Sequence, residues 1–300
     1  MEISRQAWLD ALGKPSYHYT AKPLKLLKTY EYSDFTVELS MQENGPDTVQ
    51  RVMKVFPTEG SYPCPAVAVP FYFPEAMLGF EPDNGEALPY YAGVELMVQL
   101  AKRGYAAASA DAYHLTYLQS DKARDDFSRW KDAGEAVLRE HPYWTGMGKL
   151  VSDTKLLVDA LAEDPRVDAD RIGIAGHSLG GKMAFYTGCL DERVKVILAS
   201  DMGLGWDQTN WRDVWYWGDK VEDLIAKGMD HASLLGSTGG KPFCLIAGEF
   251  DNMDSWDMMC RATGYEPGDG RLKIINHATG HRPPAYALQE GYDFLDRWLK

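Results

Sequence analysis

No stretch of this 300-residue chain approaches the roughly eighteen continuous apolar residues that a membrane-spanning helix needs. Basic residues are few beside acidic ones: 31 Lys and Arg stand against 44 Asp and Glu, a formal charge of −13, and no local basic patch offsets it. Such a surface repels nucleic acid and anionic lipid, so neither is expected as a partner. Cysteine is sparse too. Cys64, Cys189, Cys244 and Cys260 form no CxxC pair and no metal-type spacing. Three of them lie in apolar segments, which reads as free thiols rather than a disulfide framework or a metal site. No run rich in Pro, Gly or Ser divides the chain, and no repeat or low-complexity segment occurs. With 45% hydrophobic residues, 1–300 is expected to form one domain around one core. The N-terminus MEISRQAWLDALGKPSYHY lacks a basic region followed by an apolar stretch and a small-residue cleavage site. The chain as it stands therefore reads as cytoplasmic, although a signal removed beforehand would leave no trace.

What is present is a patterned α/β chain. A short helix over Arg5 to Leu12 precedes β-type segments at Leu26 to Tyr32, Phe35 to Met41 (alternating Phe35, Val37, Leu39, Met41) and Val49 to Phe56. The turn Asn44-Gly45-Pro46-Asp47 separates the last two, so an antiparallel edge leads the domain. Buried strands then alternate with helices: strand Pro65 to Tyr72, helix Val94 to Lys102, strand Tyr105 to Asp111, helix Leu150 to Ala162, and strand Ile172 to Ala175. The alternation continues with helix Lys182 to Cys189, strands Val194 to Ser200, Pro242 to Ala247 and Leu272 to Ile275, and a closing helix Tyr286 to Leu299. That order predicts a mostly parallel sheet with helices on both faces.

The most informative segment is Arg171 to Ala184, RIGIAGHSLGGKMA. An apolar strand runs into Gly176-His177-Ser178-Leu179-Gly180 and then into helix-forming residues, which is the order that exposes a serine on a sharp strand-to-helix turn. Gly176 and Gly180 remove the side chains that would obstruct such a turn. A serine hydroxyl is a weak nucleophile at neutral pH; an imidazole must take its proton, and a carboxylate must hold that imidazole in the right tautomer. His281 is chosen as the base because Gly280-His281-Arg282-Pro283-Pro284 reads as a loop between the last strand and the last helix; His277, directly after the strand, is the alternative. Asp251 is chosen as the acid, three residues past Gly248 on the turn leaving KPFCLIA, with Asp254, Glu249 and Asp201 held as alternatives.

With the elbow, GEFD and GH in place, the chain resembles α/β-hydrolases of the dienelactone hydrolase and acetyl xylan esterase-like group. The likeness is specific over DTKLLVDALAEDPRVDADRIGIAGHSLGGKMAFYTGCLDERVKVILASDM, from Asp153 to Met202, and looser by order of elements from Tyr30 onward. It implies hydrolysis of a carboxylic ester through an acyl-enzyme on Ser178, with neither metal nor organic cofactor. Dienelactone hydrolases proper carry a cysteine where this chain has Ser178. Bacterial glucuronoyl esterases also look similar here: they carry a lysine four residues past the serine, as Lys182 stands in this chain, but arginine where this chain has Leu179.

The oxyanion of the tetrahedral intermediate needs two donors. One is expected from the N–H of Leu179. The other is assigned to Phe71 or Tyr72 N–H, in a loop where many such enzymes have a His-Gly pair and this chain has Pro70-Phe71-Tyr72-Phe73-Pro74. Gly203 to Gly240 is long and carries Trp206, Trp211, Trp215, Tyr216 and Trp217. It is expected to form a cap whose Trp206, Trp211 and Trp215, with Lys182, bind a small-molecule or glycan ester. The expected activity is removal of acetyl or another small acyl group from a carbohydrate-type alcohol. A glucuronoyl-esterase-like or lactone hydrolase, a peptidase on the same triad, and a non-catalytic binding protein are the alternatives.

Overall fold

The computed structural model describes residues 3–18, 23–265 and 268–300. Among the described residues nine strands form one sheet: β1 (Lys25–Glu31), β2 (Phe35–Gly45), β3 (Thr48–Pro57), β4 (Cys64–Ala68), β5 (Ala106–Ala110), β6 (Val167–His177), β7 (Val194–Ser200), β8 (Phe243–Ala247) and β9 (Leu272–Asn276). Their spatial order is β1-β2-β3-β5-β4-β6-β7-β8-β9. The pairs β1/β2, β2/β3 and β3/β5 are antiparallel, and every pairing from β5/β4 to β8/β9 is parallel. The helices are α1 (Arg5–Leu12), α2 (Pro74–Leu78), α3 (Leu96–Lys102), α4 (Tyr113–Thr116), α5 (Phe127–Glu140), α6 (Gly146–Ala162), α7 (Leu179–Leu190), α8 (Lys220–Ala226), α9 (His231–Gly236), α10 (Met253–Thr263) and α11 (Ala285–Leu299). Among the described residues no helix is long and apolar enough to cross a membrane.

Strands β4, β5 and β8 are buried on both faces, which is why CPAVA, AAASA and FCLIA are uninterrupted runs of small or apolar residues. Alternation sorts their side chains into two layers. Ala66, Ala68, Ile172 and Ile174 join the layer built with α5, α6 and α7, while Val67, Val69 and Ala175 join the layer built with α2, α3 and α11. All twelve residues of α7 are buried. One side of that helix packs on β6 and β7, and the other meets residues 203–240: Tyr186 lies 5.9 Å from Trp217 and 5.4 Å from His231, ring centroid to ring centroid. Cys64, Cys189 and Cys244 are buried free thiols and Cys260 is half-buried.

Two departures from the expected elements shape the site. The fourth strand leaves the sheet at Ala68, not Tyr72, because Pro70 has no N–H for a ladder; residues 69–73 bend toward the strand ends. The helix after the elbow starts at Leu179 rather than Lys182, so Ser178 alone makes the turn.

Candidate active site

Ser178 has φ 56° and ψ −118°, a conformation unusual for a residue with a side chain and worth of order 1–3 kcal/mol of strain. The surroundings hold it there. Its N–H donates to the carbonyl of Ser200 at 2.8 Å, tying the turn to β7. A Cβ on Gly176 would run into the carbonyl of Gly180, and one on Gly180 into the carbonyl of Pro70. The two glycines therefore let the start of α7 close against the end of β6 and against the loop after β4. Leu179 is the first helical residue, so its N–H has no acceptor within the helix and is available to an anion beside Ser178.

His281 Nδ1 donates to Asp201 Oδ2 at 2.7 Å. Asp201 stands one residue past β7 with φ 46°, its side chain fully buried. Its other oxygen accepts the N–H groups of Gly248, Glu249, Phe250 and Asp251 at 2.9–3.0 Å. Burial alone would raise this carboxyl, but the His281 bond and the amides of residues 249–251 outweigh it and hold Asp201 below the usual carboxylate range. The loop leaving β8 is thus a nest of donors around a carboxylate supplied by β7. Gly248 is needed within it: a Cβ there would meet the Gly280 carbonyl and lie 2.7 Å from His277 Cε1.

The structure does not bring Asp251 to the imidazole. Its oxygens accept from Gly203 N–H at 2.8 Å, Leu204 N–H at 2.7 Å and Ser255 Oγ at 3.0 Å, and burial pushes its carboxyl up. Asp251 pins the start of residues 203–240 instead. Glu249 and Asp254 are exposed. His277 is directed elsewhere, with its Nδ1 bonded to Thr279 Oγ1 at 2.8 Å. His177, the residue before the serine, bonds Ser200 Oγ through Nδ1 at 3.1 Å and lies 4.5 Å from the His281 ring, centroid to centroid. Burial pushes its pKa down to about 3, so it is neutral.

Ser178, His281 and Asp201 all line a cavity of about 610 Å³. Phe71 and Tyr72 form part of its wall, with the Tyr72 phenol beside the Ser178 hydroxyl. Lys182, one helical turn past the serine, also lines it. Its ammonium donates to Asn210 Oδ1 at 2.8 Å and Thr209 Oγ1 at 3.3 Å, and lies 4.6 Å from the Tyr216 ring centroid. Burial pushes this lysine down to about 7, against the opposing pull of Asp213 and Asp251. Trp206, Trp211 and Trp215 do not line the cavity. Trp206 and Trp211 pack around His231, at 4.0 and 4.2 Å, and their indole N–H groups are spent on the carbonyls of Met229 and Gly203. Trp215 stacks under Phe127 at 6.0 Å. The aromatic wall comes instead from Phe127, Trp130, Tyr216 and the 71–73 and 90–91 segments.

Residues 91–199 match the dienelactone hydrolase family model, a span that includes the elbow but stops short of Asp201 and His281. YtaP of Bacillus subtilis (strain 168), whose name carries the word hydrolase, is 25% identical over 259 residues, covering 81% of this chain and 80% of its own. The glucuronoyl esterase from Solibacter usitatus superimposes with a TM-score of 0.70 at 13% identity, over 98% of this chain and 94% of that one. The acetyl xylan esterase from Paenibacillus sp. R4 gives a TM-score of 0.60 at 16% identity, over 98% and 92%. The chain has the α/β-hydrolase fold. Several cavity residues carried no signal in the sequence. Trp130 sits on α5, an amphipathic helix capped by Asp126, while Thr209 and Asn210 lie in an irregular turn without periodicity.

Proposed function

We propose that this α/β-hydrolase is a serine ester hydrolase in which Ser178 is the nucleophile, His281 the base and Asp201 the acid. The observation that carries the reading is the convergence, in one cavity, of a serine held at positive φ with an imidazole whose far nitrogen is bound by a buried ionised carboxylate. With Nδ1–H given to Asp201, the other ring nitrogen of His281 is the acceptor for the Ser178 proton. The serine oxygen then attacks the ester carbonyl, and the N–H of Leu179 stabilises the oxyanion. Collapse expels the alcohol, which takes the proton from His281, and water repeats the sequence to release the acid. Asp201 takes the role because its carboxylate meets the ring; Asp251 spends both oxygens elsewhere.

The substrate read from the cavity is an ester of a small acyl group, acetyl first, on a carbohydrate-type alcohol. About 610 Å³ far exceeds an acetyl group, so most of the space serves the alcohol. Aromatic faces beside the polar Lys182, Asn210 and Thr209 suit a ring with apolar faces and hydroxyl edges. A uronate methyl ester is the second candidate, favoured by the buried Lys182 in the cavity.

Ser178→Ala should lower turnover of p-nitrophenyl acetate by ~10⁴–10⁶-fold and abolish labelling by a fluorophosphonate probe. Full turnover by that variant would refute the mechanism. Initial rates on acetylated sugars, short acyl esters, uronate methyl esters and aminoacyl amides should be highest on the acetylated sugars.

A further inference from the structure

The segment after β4 reaches the elbow in an unusual way. Pro70 contributes no N–H, and its carbonyl lies against Gly180. Tyr72 follows two residues later, with its own carbonyl accepting from Ala112 N–H at 2.9 Å, which fixes the backbone at the edge of β5. Its ring is clamped: it stacks on Trp130 at 4.6 Å and 21° and meets the edge of Phe71 at 4.6 Å and 74°. That clamp holds the phenol beside Ser178 in the wall of the same cavity.

Resting on the serine mechanism above, we infer that the Tyr72 side-chain hydroxyl, rather than a backbone amide of residues 71–72, is the second oxyanion donor. The Ser178 hydroxyl has one proton, and catalysis sends it to His281. Once it is gone, the one hydroxyl hydrogen left on this pair is that of Tyr72. As the Ser178 Oγ–carbon bond forms, the carbonyl π pair moves onto its oxygen, two bonds away from Oγ. A phenol already beside Oγ needs only a small swing to donate to that oxygen, opposite Leu179 N–H. Tyr72 transfers no proton; it donates a hydrogen bond to the oxyanion and loses it when the carbonyl re-forms. Burial, reinforced by neighbouring Tyr91 and Tyr90, pushes its pKa upward, which keeps the donor protonated throughout the working pH range.

Tyr72→Phe separates the two possible donors, because it removes the hydroxyl and leaves both amides in place. Its kcat on p-nitrophenyl acetate should fall ~10²–10³-fold with KM within about threefold, the loss typical of one oxyanion donor. Affinity for a trifluoromethyl ketone, which forms the tetrahedral adduct, should fall by a similar factor. A second substitution, 2,3,5-trifluorotyrosine at position 72, keeps the ring and the clamp but ionises at much lower pH. A new alkaline limb should then enter the kcat profile, since a phenolate cannot donate, and a packing role would not produce it. Full kcat in Tyr72→Phe, or no new limb with trifluorotyrosine, overturns the assignment. Either result alongside an inactive, unlabelled Ser178→Ala sinks the tyrosine alone, whereas an active Ser178→Ala sinks the mechanism beneath it.

Discussion

Asp201 and Asp251 are both fully buried carboxylates, set at the ends of adjacent parallel strands, and each is gripped by backbone amides. Their environments nonetheless drive them apart. Asp201 takes four amides on one oxygen and an imidazole on the other, and stays ionised below the usual range. Asp251 takes two amides and a hydroxyl, and burial raises it. The difference is who is held. One carboxylate orients a ring that faces the cavity; the other fastens the first residues of the 203–240 segment to the end of β8. Position at a strand's carboxyl end, which both share, does not tell which carboxylate meets an imidazole and which fastens a loop.

Paired substitutions would break or sharpen that contrast, and the largest effect is expected from Asp201. Asp201→Asn keeps the shape but presents an amide to an imidazole that needs an acceptor, so kcat/KM should fall by ~10⁴-fold. Asp251→Asn should leave kcat within about threefold and cost about 2–3 kcal/mol of stability, through the lost charge-assisted bonds to residues 203 and 204. Steady-state rates and thermal melts on both proteins decide the matter. If Asp251→Asn is the inactive one, the assignment of the acid is wrong. The two also differ in acid. Because the folded state depresses Asp201, its stabilisation is present above the ordinary carboxylate pKa and is lost as pH falls through the lower folded value; Asp251, raised, favours folding more as pH falls.

Much of the fold was legible because its signals are local. The apolar runs at 194–200, 243–247 and 272–276 are strands within a residue of where periodicity places them, and GHSLG marks the elbow because close packing at Gly176 and Gly180 tolerates nothing larger. The acid was harder. Asp201 and Asp251 both follow buried strands, and the choice turns on which oxygen meets His281 across eighty positions of chain, which no local pattern encodes. The tryptophans misled for a related reason. Composition at 203–217 says that aromatic surface exists there, not which side of it faces inward. In the structure Trp206 and Trp211 fill the space over α7, together with Trp8 from the N-terminal helix. The cavity wall is drawn from α5 and the loops after β4 and α2.

That division gives a prediction of intermediate size. Trp206 touches Trp8, Trp211, Trp217 and His231 and does not reach the cavity. Trp206→Ala should cost about 3–5 kcal/mol, the usual range for a large aromatic removed from a core, and lower the melting temperature by roughly 5–10 °C. KM for acetylated sugars should stay within about twofold at temperatures where the variant is folded. A large rise in KM without loss of stability would return this tryptophan to the substrate.

Lys182 belongs to both regions, since its stem lies in the buried helix α7 and its ammonium lies among cavity residues, and it carries the smallest and most pH-dependent effect. Its folded pKa of about 7 lies below its ordinary 10.5. Between these values the unfolded chain holds a proton that the folded protein has released, so stability rises with pH across that interval. Below pH 7 both states are charged and the full cost of burying the ammonium is present. Lys182→Met removes that cost along with the bonds to Asn210 and Thr209, so the variant should gain about 2 kcal/mol at pH 6, with the advantage shrinking toward pH 10. Melting curves of both proteins at pH 6 and pH 9 measure the difference directly. If the ammonium also binds the alcohol's hydroxyls, KM for an acetylated sugar should rise about tenfold in Lys182→Met while kcat on p-nitrophenyl acetate holds. A variant that gains stability at low pH with no change in KM would assign the lysine to the fold alone.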